Sequence, residues 1–235
     1  MFERFRQRQP GAPLGRIIFW HVMHALCVLW FLPLYRYRAY GRQNIPRTGP
    51  VLLVSNHQSF FDPILVGMAS WHRQFYALAR KTLWSNRLVG WLISMLNAIP
   101  VDRGTSDTAA MRKCVEVLKQ GHALLVFAEG ERSHGGEVRS FQPGIMLVIR
   151  RARPLVVPVA LEGANQVWPR KQKRPHLTGR TAVSYGEPIP SEDLLEMKPG
   201  EALELLRSRV EAQRQELAAK MGTAQPGRDA DPQTG

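Results

Sequence analysis

Three things are scarce in this chain of 235 residues: cysteine, acidic side chains, and charge of any kind over one long stretch near the start. The two cysteines, Cys27 and Cys114, lie in apolar or helical context and lack metal-ligand spacing. That excludes a disulfide framework and points to a reducing compartment. No internal repeat is visible. No G-x-S-x-G elbow supplies an activated serine, and Ser59 is the hydroxyl nearest to the chemistry discussed below. No helix-turn-helix, zinc-finger or aromatic RNA-binding signature is present, which argues against a nucleic-acid binder. A metal-dependent phosphohydrolase would need several converging acids and histidines, and no such ligand cluster is seen.

The shortage of acid leaves a formal net charge of +13. Its placement is uneven. Residues 1–50 carry Arg4, Arg6, Arg8, Arg16, Arg36, Arg38, Arg42 and Arg47 against Glu3 alone. Residues 150–180 carry eight more basic side chains against Glu162, and the remaining chain is close to neutral. Two such blocks read as an electrostatic footprint for an anionic partner. Anionic lipid, an acidic carrier protein and nucleic acid share that chemistry.

The uncharged stretch is Ile17 to Tyr35, interrupted by His21 and His24 and flanked by Arg16, Arg36 and Arg38. It is about the minimum length for crossing a bilayer, roughly 18–20 residues. The flanks show no positive-inside bias. The competing expectation is a helix, or a helical pair broken near Pro33, lying in one leaflet with its arginines at the headgroups. Residues 1–45 are therefore expected to be a membrane-anchoring helical segment. The low-apolar tail, residues 222–235, is expected to be disordered.

Between these, residues 46–221 read as one α/β domain. "VLLVSN", "QFYALAR", "ALLVFAEG", "PLVVPVAL" and "RTAVSYG" are strand candidates, and "AIPV" is a short extended stretch. Pro63 to Ser70 predicts a helix with proline in its first turn. "NRLVGWLISMLNAI" predicts a long helix apolar on nearly all sides. "SDTAAMRKCVEVLKQG" predicts a helix capped by Ser106 or Asp107, striped by Met111, Val115 and Leu118, and ended by Gly121. Glu201 to Lys220 predicts a surface helix. Strands alternating with helices indicate a largely parallel sheet flanked by helices.

In such sheets the active residues gather at the carboxyl ends of strands. His57 follows "VLLVSN", Asp102 and Arg103 follow "AIPV", and Glu129 and Arg132 follow "ALLVFA". Across "NHQSFFDP" the chain turns from strand into helix, with Ser59 and Asp62 spaced for a capping box. The same turn can carry the Asp62 carboxylate back to one nitrogen of His57, leaving the other as a base. A base with no enzyme nucleophile suggests that a substrate hydroxyl is deprotonated directly. Alone, the His-x4-Asp spacing is also met by a strand-end histidine and a capping aspartate.

Four blocks in order sharpen this reading. "NHQSFFDP", "NAIPVDR", "FAEGERS" and "RPLVVPV" resemble the four signature blocks of the glycerolipid acyltransferases, the 1-acyl-sn-glycerol-3-phosphate acyltransferase family with its HX4D motif. That resemblance implies His57 as general base and Asp62 as its orienting acid. It implies Arg103 and Arg132 as ligands of the acceptor phosphate, Glu129 and Gly130 as shapers of the acceptor site, and Pro158 on the acyl-donor side. No metal or bound cofactor is implied; the co-substrate is a thioester of coenzyme A or acyl carrier protein. The implied partners are a lipid acceptor, that donor and an anionic membrane surface, at the cytoplasmic face of the inner membrane. Glycerol 3-phosphate or another lysolipid as acceptor, and a catalytically silent membrane-binding protein, are the alternatives. Three positions depart from the family pattern: Asn97 replaces the usual glycine, Ala128 the usual proline and Glu131 the usual threonine. A carboxylate at 131 would repel a phosphate beside Arg132 unless it points away, which keeps an amine-bearing lysolipid open.

Overall fold

A computed structural model describes residues 11–102, 108–133 and 135–223. The elements, in order, are α1 (Leu14–Tyr35), β1 (Arg38–Tyr40), β2 (Val51–Ser55), α2 (Asp62–Ala69), β3 (Phe75–Arg80), α3 (Arg87–Met95) and β4 (Ala98–Val101). They continue with α4 (Thr108–Lys119), β5 (Ala123–Phe127), α5 (Gly144–Ala152), β6 (Leu155–Glu162), α6 (Ala164–Val167), β7 (Ala182–Tyr185), α7 (Ser191–Leu195) and α8 (Pro199–Met221). Seven strands form one sheet in the order β1-β7-β6-β2-β5-β3-β4. All pairs are parallel except β6 with β7. The α/β expectation is met, and the sheet takes its outermost strand from Arg38–Tyr40, ahead of the boundary expected at residue 46.

The near-continuous apolar runs of β2, β5 and β6 follow from burial on both faces. Leu52, Val54, Leu124 and Val156 point to one layer, where Cys114, Val117 and Leu118 of α4, Ile149 of α5 and Leu206 and Val210 of α8 meet them. Leu53, Leu125, Val157 and Val159 point to the other, against Trp20 and Phe31 of α1 and Leu65, Val66 and Ala69 of α2. The stripe on α4 is turned from the expected one. Ala110, Cys114, Val117 and Leu118 are buried in the core, while Met111 and Val115 line a cavity.

The apolar N-terminal segment is one helix, not a broken pair. Pro33 sits in its last turn, where one lost backbone bond does little damage. Its terminal carbonyls are satisfied elsewhere: Leu34 O accepts from Gly179 N–H at 3.1 Å and Tyr35 O from Thr181 N–H at 2.9 Å. With 22 residues and mean hydropathy 1.9, α1 is long and apolar enough to cross a membrane, by length and composition. Yet one side is packed on the domain along its length. Ile17, Trp20, Phe31 and Tyr35 are buried, His24 Nε2 contacts Met68 O at 2.9 Å, and the rings of Trp20 and Phe75 meet edge-on at 5.4 Å. Its other side leaves Leu29 69% and Trp30 63% exposed.

The expected long helix "NRLVGWLISMLNAI" is shorter. Asn86 caps its start by accepting from Leu88 and Val89 N–H, and it stops at Met95 because Asn97 turns left-handed, φ +61°. Ala98–Val101 then enter the sheet beside β3. Its apolar exterior is not deeply buried: Gly90 is its one buried residue, and Leu88 and Trp91 are exposed. The glycine expected at position 97 is thus replaced by one of the few residues that tolerate this conformation. The Asn97 amide also donates to Gln74 Oε1 at 3.2 Å and accepts from Arg16 at 3.4 Å. The expected caps Ser106 and Asp107 lie outside the described residues. Urea unfolding should show Asn97→Gly within about 1 kcal/mol of the parent and Asn97→Ala destabilised by about 1–2 kcal/mol, the cost of a left-handed non-glycine residue. Equal stability of the alanine variant would refute this account of the strand entry.

Candidate active site

Because β2, β5 and β6 run parallel, their carboxyl ends share one edge of the sheet. At the end of β2, Asn56 extends the sheet with its side chain: it donates to Leu161 O at 3.0 Å and accepts from Leu161 N–H at 2.8 Å. At the end of β5, Ala128 N–H donates to Ser55 O at 2.9 Å. Proline at 128 could not make that bond, so the departure there adds a rung between the two motif-bearing strands.

His57 and Asp62 meet as expected. His57 Nδ1 lies 2.7 Å from Asp62 Oδ2. The same oxygen accepts Gln58 N–H at 2.6 Å and Ser59 N–H at 2.8 Å. Asp62 is fully buried, whereas 18% of the His57 side chain is exposed. An ionised carboxylate accepts and cannot donate, so it fixes the proton on Nδ1 and leaves the lone pair on Nε2. Phe127 stacks on the imidazole, with centroids 4.0 Å apart and planes inclined by 15°. The capping box is half made. Asp62 reaches back to the Ser59 N–H, but the Ser59 hydroxyl donates to Trp168 O at 3.2 Å, and the helix starts at Asp62 with no side-chain cap.

The third block wraps around this pair. His57 N–H donates to Glu129 Oε1 at 2.9 Å, and Ser133 N–H donates to His57 O at 2.8 Å. Burial pushes the Glu129 carboxyl up to about 7, against the pull of the His57 N–H and of Arg139. Gly130 has φ +76°, and a Cβ there would stand 3.3 Å from Gln142 Cγ. Only glycine relieves both constraints. The Arg132 guanidinium lies over the Phe60 ring, 3.8 Å from its centroid. Glu131, the awkward charge, is claimed by two arginines. Arg139 Nη1 reaches Oε1 at 2.6 Å and Arg170 Nη2 reaches Oε2 at 3.0 Å. Hydrogen bonds from Arg139 and then Arg170 hold its carboxyl down at about 2. Arg170 Nη1 also donates to Arg132 O at 2.7 Å.

A cavity of about 1320 Å³ opens beside these groups. His57, Glu129, Gly130, Glu131, Arg132 and Arg139 line one part of it. Trp20, Met23 and Cys27 of α1, Leu92 of α3 with Leu96 just beyond its end, and Met111 of α4 line another. It exceeds the roughly 300–1,000 Å³ typical of small-molecule sites. Asp102 reaches its edge and accepts a hydrogen bond from Lys81 at 3.2 Å. Pro158 does not join the site: it is buried inside β6 opposite Val54 and is not among the cavity-lining residues. Arg103 lies outside the described residues. Among the described residues no cluster of three or more His, Cys, Asp or Glu side chains is placed to hold a metal ion.

Sequence reading missed Asn56, Phe127, Arg139 and Trp168 as parts of this site. Arg170 lay inside a flagged basic block, but nothing local tied it to Glu131, 39 positions away.

An acid-oriented histidine and a Glu-Gly-x-Arg loop thus share one edge of an α/β sheet. Residues 36–162 match the Acyltransferase family, and the chain belongs to it. Among curated relatives, it is 30% identical over 173 residues to the chloroplastic 1-acyl-sn-glycerol-3-phosphate acyltransferase LPAT1 of Arabidopsis thaliana, covering 71% of this chain and 48% of that protein. It is 30% identical over 167 residues to 1-acyl-sn-glycerol-3-phosphate acyltransferase of Streptococcus pneumoniae, covering 71% and 60%. The chain thus spans about half the length of these relatives. With the Bacillus subtilis protein of the same name it shares 23% identity, over 78% of this chain and 89% of that one. The crystal structure of the 1-acyl-sn-glycerophosphate (LPA) acyltransferase PlsC from Thermotoga maritima shares the fold, with a TM-score of 0.74 and 24% identity over 86% of this chain and 80% of that one.

The raised Glu129 carboxyl has a consequence for stability. Its folded-state value of about 7 lies above its ordinary value of 4.5. Across that window the folded chain holds the proton more tightly than the unfolded chain, so this group's contribution to stability falls as pH rises. Glu129→Gln keeps an oxygen to accept the His57 N–H and cannot ionise. Its thermal midpoint, measured against the parent's, should therefore improve progressively between about pH 5 and pH 8. A difference that stays flat across the series would remove the assigned protonation.

Proposed function

We propose that this protein is a membrane-associated O-acyltransferase that moves a fatty acyl group from a thioester to the free hydroxyl of 1-acyl-sn-glycerol 3-phosphate, giving phosphatidic acid. The observation that carries the reading is the joint placement of His57, held by Asp62, and Arg132 on one cavity whose lining is largely apolar.

In this mechanism, His57 Nε2 takes the acceptor's hydroxyl proton as the oxygen attacks the thioester carbonyl carbon. Asp62 stabilises the imidazolium that forms. The tetrahedral intermediate collapses by breaking the C–S bond, and the leaving thiolate takes the proton back from Nε2. The products are an ester and a thiol, and the enzyme carries no acyl group at any stage. A positioned base of this kind contributes roughly 10²–10⁴ in rate, and alignment of two bound substrates adds further acceleration.

Arg132 and Arg103 are assigned to the acceptor's phosphate, for which guanidinium forks are suited. The pairing of Glu131 with Arg139 and Arg170 supports an anionic headgroup, because its charge is answered from two other segments. Glu129 and Gly130 shape the loop that carries Arg132. The large apolar share of the cavity favours a lysolipid over glycerol 3-phosphate, which has no tail to bury. Pro158 keeps only an indirect place in the donor side, through the packing of β6. No metal or bound cofactor is part of the proposal; coenzyme A or acyl carrier protein brings the acyl group as co-substrate.

Membrane association rests on the exposed apolar side of α1, extended by Leu88 and Trp91 of α3. The Phe19 and Trp91 rings meet at 5.5 Å and join the two helices. A helix packed on the domain from Ile17 to Tyr35 cannot stand across a bilayer while the domain stays in water, so α1 lies in one leaflet. That position, at the cytoplasmic face of the inner membrane, lets the acceptor's tail remain in lipid. Each buried methylene is worth about 0.8 kcal/mol, so withdrawing a long tail into water would cost too much for turnover.

The test is acyl transfer in detergent with a panel of lysolipid acceptors and both thioester donors. His57→Ala should lower turnover by roughly 10²–10⁴ while membrane association persists. Near-full turnover in that variant would end the base assignment. Arg132→Ala and Arg103→Ala should raise the KM for the acceptor at least tenfold, about 1.4 kcal/mol, and leave the donor KM nearly unchanged. Equal effects on the two substrates would remove the phosphate role.

A further inference from the structure

In the second basic block, residues 150–180, Arg151 lines the cavity and Arg170 is paired with Glu131, but the cations at 171–174 have no part in this chemistry. Lys171, Lys173 and Arg174 occupy the loop between α6 and β7, and all three are exposed. None of the three has an ion pair among the described residues, whereas Arg170 beside them is paired with Glu131. Leu177, three residues on, is 84% exposed. An apolar side chain this bare, next to three uncommitted cations, matches the composition of a membrane-surface segment.

The loop is fastened to the C-terminal end of α1. Gly179 N–H donates to Leu34 O at 3.1 Å, Thr181 N–H to Tyr35 O at 2.9 Å, and the Tyr35 hydroxyl to His176 O at 3.1 Å. The exposed Trp30 and Leu32 of α1 lie within the preceding turn and a half. On the far side of this junction, a small cleft of about 160 Å³ is lined by Arg36, Arg38, Arg180, Lys220 and Met221. Within it Arg180 donates to Met221 O at 2.8 Å, and Lys220 stands 3.7 Å from Glu216. Arg38 pairs in register with Ala182 at the start of β7, and Ala182 faces Glu162 at the end of β6. The cleft therefore opens on the same sheet edge as His57, three strands along, or roughly 14 Å at the usual strand spacing.

We propose that the 171–177 loop, with the four-cation cleft beside it, is an anionic-lipid docking surface that seats acidic headgroups at the C-terminal end of α1. It rests on the reading of α1 as an interfacial helix. Charge and position together select lipid over the acidic carrier protein that the same cations could meet. The cations stand around an exposed leucine at the end of a helix whose own open side is apolar, and a carrier protein docked there would have to sit where the bilayer surface lies. Cations near an anionic bilayer each add about 1 kcal/mol, or about fivefold in partition.

The test uses the full chain and two vesicle preparations, one of phosphatidylcholine alone and one with a third of the lipid replaced by phosphatidylglycerol. Lys171, Lys173 and Arg174 are changed together to glutamine, and Leu177→Ser is made separately. The triple variant should lose on the order of 100-fold in partition to the anionic vesicles and stay within about threefold of the parent on the neutral ones. Leu177→Ser should weaken binding to both. Turnover in detergent with an acyl coenzyme A donor should be unchanged in every variant, since none of these side chains lines the cavity. Unchanged anionic partition in the triple variant overturns the proposal, as does an equal loss on both vesicles. Selective loss of turnover with an acyl carrier protein donor also overturns it, in favour of a protein dock. A parent chain that binds neither vesicle would instead defeat the interfacial reading of α1, which separates the two failures.

Discussion

One carboxylate oxygen organises the working edge of this protein. Asp62 Oδ2 accepts from the His57 ring and from two consecutive backbone N–H groups. The backbone bonds fold the chain from β2 into α2, and the ring bond sets the direction and tautomer of the histidine. Losing the acid would therefore do two things at once: untie the turn and leave the imidazole free to rotate. Burial makes such bonds strong when made and costly when missing. The rest of the site is layered on this knot, with Phe127 against the ring, Glu129 on the His57 N–H and the Arg132 loop bonded to the His57 carbonyl.

The three departures from the family pattern each have a local physical answer. Asn97 keeps the left-handed turn that glycine would supply and adds side-chain bonds to Gln74 and Arg16. Ala128 provides an N–H that proline lacks and extends the β2–β5 ladder. Glu131 brings a charge into a cationic loop, and Arg139 and Arg170 bind both of its oxygens. Arg170 spends its other nitrogen on the Arg132 carbonyl. The carboxylate thus serves as a bracket that joins three loops, and the charge that looked adverse beside Arg132 becomes part of that residue's support.

How much of this was legible depended on range. The buried strands announced themselves by unbroken apolar runs, and the His57–Asp62 contact could be inferred because a single tight turn separates the two residues. The end of α3 was missed because nothing apolar stops there; a left-handed asparagine stops it. β1 was missed because three residues of Arg-Ala-Tyr carry no strand signal, and the strand exists only because β7 offers an edge. Pro158 was expected at the site from its place in a motif, yet the register of β6 sets it opposite Val54 in the interior. The Glu131 bracket and the Trp168 packing were illegible for a common reason. The Arg170 arm of the bracket and the Ser59–Trp168 bond each join segments more than thirty residues apart, and a one-dimensional pattern holds no trace of such closure.

The position of β1 bears on how the molecule is made. It follows α1 directly, and its partner residue for Arg38 is Ala182, about 140 residues later. At synthesis rates of roughly 5–20 residues per second, the apolar helix and its short strand wait on the order of ten seconds or more before the sheet edge that receives them exists. During that interval water is a poor host for α1 and lipid a good one. On the interfacial reading of α1 proposed above, the order of translation lets the nascent chain meet the bilayer before the edge of its sheet is made.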